Sequence, residues 1–390
     1  MKKSLWVHGT YFIEFEGDFY HHNLTEAIWE ERYLPYVSEL TVCSRQKTAK
    51  DRVEVCRKML SIPKADARLA FQPLRVHFVP KAQEKAQIRR LLSGVDMVIV
   101  RVPNWNSNIV AEQALHMGIP YMAEVVGCAW DAYFTHSLKG KLAAPAMELA
   151  MRKTVKYADY AIYVTRAFLQ NRYPCRGKTL AWSDVQLEIP TASLREARLQ
   201  KCAAFSTENR ITLATIGAVD VHYKGQIYVL KALALLKSEG LHFRYKLIGG
   251  GDQTSLLQYA QNLGVCEMVE FTGNLTHEQV FAALDEVDVY VHPSLTEGLP
   301  RAVLEAEGRG CAVIGTRVGG MPEIVRKEDL FGKKDVRGIA RLLRGFTAEK
   351  LMQEAQQNMD FVEMFLQENS AAVRDAFMKQ VCADVEARLR

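Results

Sequence analysis

Residues 287–316 read VDVYVHPSLTEGLPRAVLEAEGRGCAVIGT. An apolar strand pattern (287–293) runs into a loop ending Gly298-Leu299-Pro300, then an amphipathic run, then a second apolar strand pattern (312–316). Strand, helix and strand in so short a length read as one parallel βαβ unit. The same beat continues outward. Upstream lie ITLATIG (211–217), a helical run from about 225 to 240, FRYKLIG (243–249), another run from about 253 to 263, VEFTG (269–273) and a third run around 277–285; downstream a helix begins at Pro322. This alternation predicts a parallel sheet with helices on both faces. The first half repeats the theme less cleanly, with SLWVHG (4–9), ELTVCSR (39–45), LRVHFVP (74–80), VDMVIVRVP (95–103), PYMAEVVG (120–127) and YAIYVT (160–165). Two doubly wound, Rossmann-like α/β domains are therefore expected, at 1–188 and 206–365. The intervening QLEIPTASLREARLQKCAAF (186–205) has no strand period after Pro190 and is expected to be a linker. In the tail, 366–390, Val373, Phe377, Val381, Val385 and Leu389 recur at four-residue steps, which places one apolar stripe on a helix.

The whole chain fits that division. Its 390 residues, 48% hydrophobic and 24% charged, suffice for two cores of ordinary size. Met1-Lys2-Lys3 has the charge of a secretion signal, but His8, Glu14 and Glu16 interrupt the run that follows, and no window approaches the ~20 apolar residues of a membrane span. A cytoplasmic protein is expected. Eight cysteines spaced singly, with no C-x-x-C pair, argue against a disulfide framework or a structural zinc site. The net charge of +5 is uneven: residues 1–190 hold 26 Lys and Arg against 19 Asp and Glu, residues 191–390 hold 24 against 26. The basic half suits an anionic membrane surface or a phosphate-bearing substrate. Nucleic acid is not expected, because the cations are dispersed and no recognition motif accompanies them.

In an open α/β sheet, ligands bind beyond the carboxyl ends of the strands, where loops enter helices. Glu297 falls in such a loop. Pro300 suits the first helical position, and the amides near Gly298, Leu299 and Arg301, with the positive end of the helix dipole, suit an anion or sugar hydroxyls. Glu305 comes about a turn and a half into the helix, so the two carboxylates can address two sets of hydroxyls on one extended molecule with a phosphate between them. A glutamate near a helix start is also an ordinary dipole partner. What lifts the pair above that reading is the company at the same edge: Lys224 after the first strand, Gly249 and Gly250 after the second, Phe271 and Thr272 ending the third, and the glycine-rich 315–320 loop.

HPSLTEGLPRAVLEAEGRGCAVIGTRVGGMPEIV resembles the E-x7-E signature of glycosyltransferase family 4, and IGAVDVHYKG, LIGGG and VEFTGNL are similar to that family's companion segments in order. EVVGCAWD and YVTRAFLQNRYP look like members that build bacterial surface polysaccharides. The resemblance implies a GT-B architecture: two Rossmann-like domains with a cleft between them, the donor on the second, the acceptor on the first, and a last helix crossing back to the first. It implies a retaining sugar transfer from a UDP- or GDP-sugar to a lipid-linked or oligosaccharide acceptor. Carried over, Glu297 contacts the transferred sugar, Gly298, Leu299 and Pro300 line sugar and diphosphate, Glu305 holds the ribose hydroxyls, Lys224 pairs with the diphosphate, and Gly17 stands in the donor-facing glycine loop. Where the family has an arginine six residues before the lysine, this chain has Ala218, with His222, Arg301 or Arg317 as replacements. Where many members have a histidine near the acceptor, Glu124 and Asp131 are the nearby carboxylates. No Asp-x-Asp occurs, so neither metal nor other cofactor is expected, and a peripheral place at the inner membrane face fits a lipid-linked acceptor. Three alternatives share parts of the pattern. A nucleotide-sugar epimerase needs the same diphosphate pocket; a silent nucleotide-sugar-binding protein would tolerate Ala218; a Rossmann oxidoreductase would need a G-x-G-x-x-G after a first strand, which neither half has.

Overall fold

The computed structural model describes residues 3–390 apart from 22, 23, 25, 57–59, 63–65, 136, 184, 186 and 206–209. The chain divides into two units, Met1–Trp182 with Ala371–Arg390, and Ser183–Ser370.

The second unit is built on a six-stranded sheet in the order Val269–Gly273, Phe243–Ile248, Ile211–Ile216, Val289–His292, Ala312–Thr316, Leu330–Phe331, every pair parallel. The strands are short apolar runs because helices cover both faces. Helix Gln226–Ser238 buries Val229, Leu230, Leu233 and Leu236 completely. Chain direction across the sheet reverses between Ile211–Ile216 and Val289–His292, and a crevice opens at such a switch point. The segment expected as a linker instead carries helix Ala192–Ala203, which packs on helix Ala348–Glu368. Its buried face includes Arg198, whose guanidinium donates to the carbonyls of Val287 (2.6 Å) and Leu284 (2.9 Å). An arginine at the centre of the buried face hides the helical period from a count of apolar residues.

The first unit holds a nine-stranded sheet whose path runs Leu60–Ile62, Asp18–His21, Lys3–Phe15, Met97–Val102, Tyr121–Val125, Tyr160–Tyr163, Lys178–Ala181, with Glu39–Thr48 and Leu69–Pro73 branching from Lys3–Phe15. Its pairs are parallel except where Asp18–His21 runs antiparallel to its two neighbours. Two sequence expectations change here. The first strand does not stop at residue 9 but continues to Phe15, through a register shift between Val7 and Tyr11. The alternating LRVHFVP is not a strand; Leu74 and Val76 are buried, but the strand lies just before it at Leu69–Pro73.

The last helix, Ala371–Leu389, belongs to the first unit and starts later than residue 366, because helix Ala348–Glu368 ends where the Asn369 amide turns back to the Phe365 carbonyl. Its buried face is Arg374, Met378, Val381 and Val385, packed in a cluster with Trp29, Tyr33 and Tyr160. Val373 and Leu389 are 37% and 60% exposed, so the ends of the expected stripe face water. Four-residue steps drift around a 3.6-residue helix, whereas steps of four, three and four stay on one face. Arg374 donates from Nη1 to the Arg32 carbonyl at 2.6 Å and lies 5.3 Å over the Trp182 ring, which meets part of its buried charge.

Met378→Ala is expected to destabilise the first unit by about 2–5 kcal/mol, the range for an emptied core site, while Val373→Ala stays within about 0.5 kcal/mol. Urea unfolding followed by tryptophan fluorescence measures both, and equal losses would place the wrong face against the core.

Candidate functional site

Glu297 follows strand Val289–His292 at the switch point, in a loop held by two neighbouring loops. The Leu295 amide donates to the Tyr223 carbonyl (2.8 Å) and the Gly320 amide to the Gly298 carbonyl (2.7 Å). In the trans Gly298–Leu299 peptide, the Leu299 N–H consequently points away from the 319–320 loop. Two glycines make the close approach possible. Gly225 (φ +75°) and Gly319 (φ +54°) would each carry a Cβ about 2 Å from a carbonyl oxygen, that of Pro293 (2.1 Å) and of Glu297 (2.0 Å). Pro300 is the N-cap of helix Arg301–Gly308, one residue before the position expected: its φ of −77° suits a helix, but its ψ of 107° is extended.

The Lys224 ammonium lies 2.8 Å from Glu297 Oε1, and His292 Nε2 lies 3.0 Å from the same oxygen. Burial pushes the Glu297 carboxyl up, but the hydrogen bond and charge of His292 and the charge and hydrogen bond of Lys224 outweigh it and pull its pKa down to about 2. An ionised carboxylate only accepts, so His292 carries its proton on Nε2. Nδ1 lies 3.2 Å from the Tyr290 hydroxyl, which itself accepts from the Ile216 amide (3.3 Å). Burial, foremost, keeps the Tyr290 phenol neutral. Three adjacent segments thus fix one anionic oxygen. Tyr290 and His292 escaped the sequence reading; their signal is two polar rings at alternate positions of a strand end.

Glu305 sits in helix Arg301–Gly308, one turn in, with His277 Nε2 3.9 Å from Oε1. Burial raises its pKa, against smaller opposing effects of His277 and Arg301. It borders a cavity of about 40 Å³ with Leu187, Pro190, Phe281 and Arg309. Gly249 and Gly250 join three strand ends through backbone bonds: Gly249 N–H to Gly273 O (3.0 Å), Gly217 N–H to Ile248 O (2.9 Å), Val219 N–H to Gly250 O (3.0 Å). Phe271 packs against the core, and the Thr272 hydroxyl donates to the Gly273 carbonyl at 3.1 Å. At Ala218 the carbonyl accepts from Gln226 Nε2 at 3.1 Å. Of the three cations considered as replacements for an arginine there, Arg317 is exposed and reaches the Lys327 carbonyl, Arg301 acts on Glu305, and His222 is exposed.

In the first unit the Glu124 carboxylate, on strand Tyr121–Val125, accepts from the Tyr33 hydroxyl at 2.7 Å and from Arg101 at 3.4 Å. His8, in the register shift of the first strand, is neutral: burial, then the charges of Arg101, His21 and Arg45, lower its pKa to about 3. Its Nδ1 is buried with no hydrogen-bond partner among the described residues. Asp131 stands in the first turn of helix Ala129–Phe134. Gly17 (φ +86°) and Glu16 (φ +52°) form the hairpin turn between Lys3–Phe15 and Asp18–His21, with the Gly17 amide on Glu14 Oε1 (3.1 Å).

Glu297, depressed from its ordinary 4.5 to about 2, contributes stability that is complete above pH 4.5 and is lost as pH falls toward 2. The wild type is expected to exceed Glu297→Gln by on the order of 3 kcal/mol at pH 6, with the gap closing between pH 4.5 and about 2. Chemical denaturation across that range measures it, and a gap that ignores pH would refute the ionised carboxylate.

Residues 203–360 match the model of the family Glycosyl transferases group 1. The chain is 30% identical over 358 residues to protein CapJ of Staphylococcus aureus, covering 90% of this chain and 88% of that one. Over 109 residues it is 35% identical to the amylovoran biosynthesis glycosyltransferase AmsK of Erwinia amylovora, 26% of this chain and 27% of AmsK. The chain is similar in fold to Anabaena HepE, solved in complex with UDP, with a TM-score of 0.66 at 15% identity, over 98% of this chain and all of that one (100%). With a relative aligned over nearly its full length, a family match that spans the Glu297 and Lys224 loops, and a fold shared with GT-B enzymes, the chain belongs to the group 1 glycosyl transferases.

Proposed function

We propose that the protein is a retaining, metal-independent glycosyltransferase of the family 4 type, moving a sugar from a UDP- or GDP-sugar to a lipid-linked saccharide during surface polysaccharide synthesis, at the inner membrane face. The observation that carries this reading is the ionised Glu297 fixed by Lys224 and His292 at the switch point of the second unit. Both donors use Oε1, which leaves Oε2 to a ligand. A fixed carboxylate in a buried setting opposes the positive charge that develops at an anomeric carbon as its bond to phosphate breaks. Lys224 is the cation for the diphosphate, helped by the dipole of helix Arg301–Gly308 and the outward-turned Leu299 amide. With a diphosphate bound, the ammonium is shared between phosphate and Glu297, so leaving-group charge and sugar charge are answered by one connected pair.

Glu305, a turn along the helix, holds the ribose hydroxyls in this reading, and Gly249, Gly250, Phe271 and Thr272 shape the nucleoside side through their backbone. Glu124 positions the acceptor with Arg101, and Asp131 and Gly17 lie on that unit too. The UDP bound to HepE supports a nucleotide donor, and the place of AmsK in amylovoran biosynthesis supports a polysaccharide product.

Glu297→Gln is expected to lower kcat at least tenfold with donor affinity nearly kept, whereas Glu305→Gln weakens donor binding first. Lys224→Ala costs at least about tenfold in kcat/KM, ~1.4 kcal/mol. Release of UDP or GDP from purified protein, with and without acceptor, reports each variant. Full activity of Glu297→Gln would end the assignment.

Transfer is also expected to persist in EDTA, because Lys224 and the helix dipole take the diphosphate charge. A rate restored only by added Mn or Mg would contradict it.

A further inference from the structure

We propose that the outward face of helix Leu138–Lys156 is the surface by which the first unit docks on an anionic lipid bilayer. The helix is apolar on two sides. Gly140, Ala144, Met147, Met151 and Val155 face the core at helical spacing. On the opposite side Leu138, Leu142, Pro145 and Leu149 form a second line at the same spacing, and the three leucines are 79%, 86% and 69% exposed. A single exposed leucine is ordinary on a protein surface. A continuous line of them, on a face where charged residues are the rule, is a contact surface. The line is extended at its start by Phe134, 41% exposed and stacked on Trp130 with centroids 5.4 Å apart.

The charge around the line selects the occupant. Lys139, Lys141, Arg152, Lys153 and Lys156 are exposed on the same helix. Its one carboxylate, Glu148, is buried and taken by Arg152 (3.0 Å), Arg172 (3.1 Å) and the Tyr173 hydroxyl (2.6 Å). The Lys141 ammonium lies 5.7 Å over the Phe134 ring and that of Lys156 5.6 Å over the Tyr157 ring, long stems laid along apolar surface. A leucine line bordered by cations fits the acyl and phosphate layers of an anionic leaflet. A second copy of the chain, joined two-fold through this face, would set lysines against lysines. No helix among the described residues is long and apolar enough to cross a membrane, and one lying flat needs no such length. The inference deepens the reading of a lipid-linked acceptor, but vesicle binding without donor or acceptor tests it apart from transfer.

The experiment is flotation of the full chain with vesicles of phosphatidylcholine alone or with about a third phosphatidylglycerol, at about 0.05 and about 0.5 M salt. Wild type is expected to float with the anionic vesicles and to do so less at high salt. The triple variant Leu138→Ser, Leu142→Ser, Leu149→Ser should lose about tenfold or more in vesicle affinity with an unchanged melting temperature. Lys139→Glu with Lys141→Glu should remove most of the salt-sensitive part. Wild-type-like binding by the triple variant, or no binding by the wild type, would overturn the proposal. So would a wild-type dimer, seen by light scattering, that the triple variant converts to monomer. A floating wild type that transfers no sugar would refute the proposed function and leave the docking face intact.

Discussion

A carboxylate withdrawn from water survives ionised only if cations or hydrogen-bond donors replace the water it has lost. Glu297 meets that condition through a lysine from one loop and a histidine from the end of its own strand, both on one oxygen. The arrangement constrains much of the second unit. Lys224 reaches Glu297 only because Gly225 lets its loop lie against Pro293, and the Glu297 loop keeps its course because Gly319 leaves room for its carbonyl. His292 keeps its orientation toward Glu297 because Tyr290 stands two residues earlier on the same strand face, its hydroxyl 3.2 Å from Nδ1, and is itself held by Ile216. The reversal of strand order is what brings the first strand's loop and the fourth strand's loop side by side.

The second unit was the more legible half of the sequence for a physical reason. Its strands are short, mostly apolar and separated by helices, so period and punctuation agree. The first unit departs from that pattern where polar residues enter strands. The extension Tyr11–Glu14 pairs with Arg45–Thr48; of its four residues only Phe12 is fully buried, and the Arg45 guanidinium lies 4.0 Å over the exposed Tyr11 ring, so no run of buried residues marks it. The helix at 192–203 was missed and the buried face of the last helix misread for one shared cause: each buries an arginine, Arg198 or Arg374, that donates to carbonyls rather than to carboxylates. A reading that counts apolar positions passes over such a residue. At the site, Glu297, Lys224 and the glycines could be named because spacing and strand ends carry them. His292, Tyr290 and His8 could not, since a lone ring gives no sign of what it will face.

The two units treat charge differently. Around Glu297 the second unit gathers opposite charges to keep a carboxylate ionised. At the corresponding edge of the first unit, burial and two arginines keep His8 neutral while Arg101 and Tyr33 engage Glu124. An imidazole held neutral can accept or donate a hydrogen bond without adding positive charge beside those arginines.

Three glutamates within eleven positions show how little residue type alone decides. Glu297 is driven down to about 2 by its partners, while burial raises Glu305, with only a distant His277 and Arg301 opposing it. Glu307, two residues on, is wholly buried on the helix face turned away from Glu305, and its Oε2 has no hydrogen-bond partner. Burial raises its pKa well above 4.5, foremost, with Glu354 adding to the shift and Arg326 opposing it, so its neutral form is favoured. Two residues on a helix subtend about 200°, so a glutamate and its near neighbour necessarily meet opposite surroundings. The sheet edge therefore carries an ionised carboxylate in the loop and a tunable one a turn along the helix, while the third adds no charge behind them. The differences among these three carboxyls follow from what surrounds each of them along one loop and helix, not from their shared chemistry.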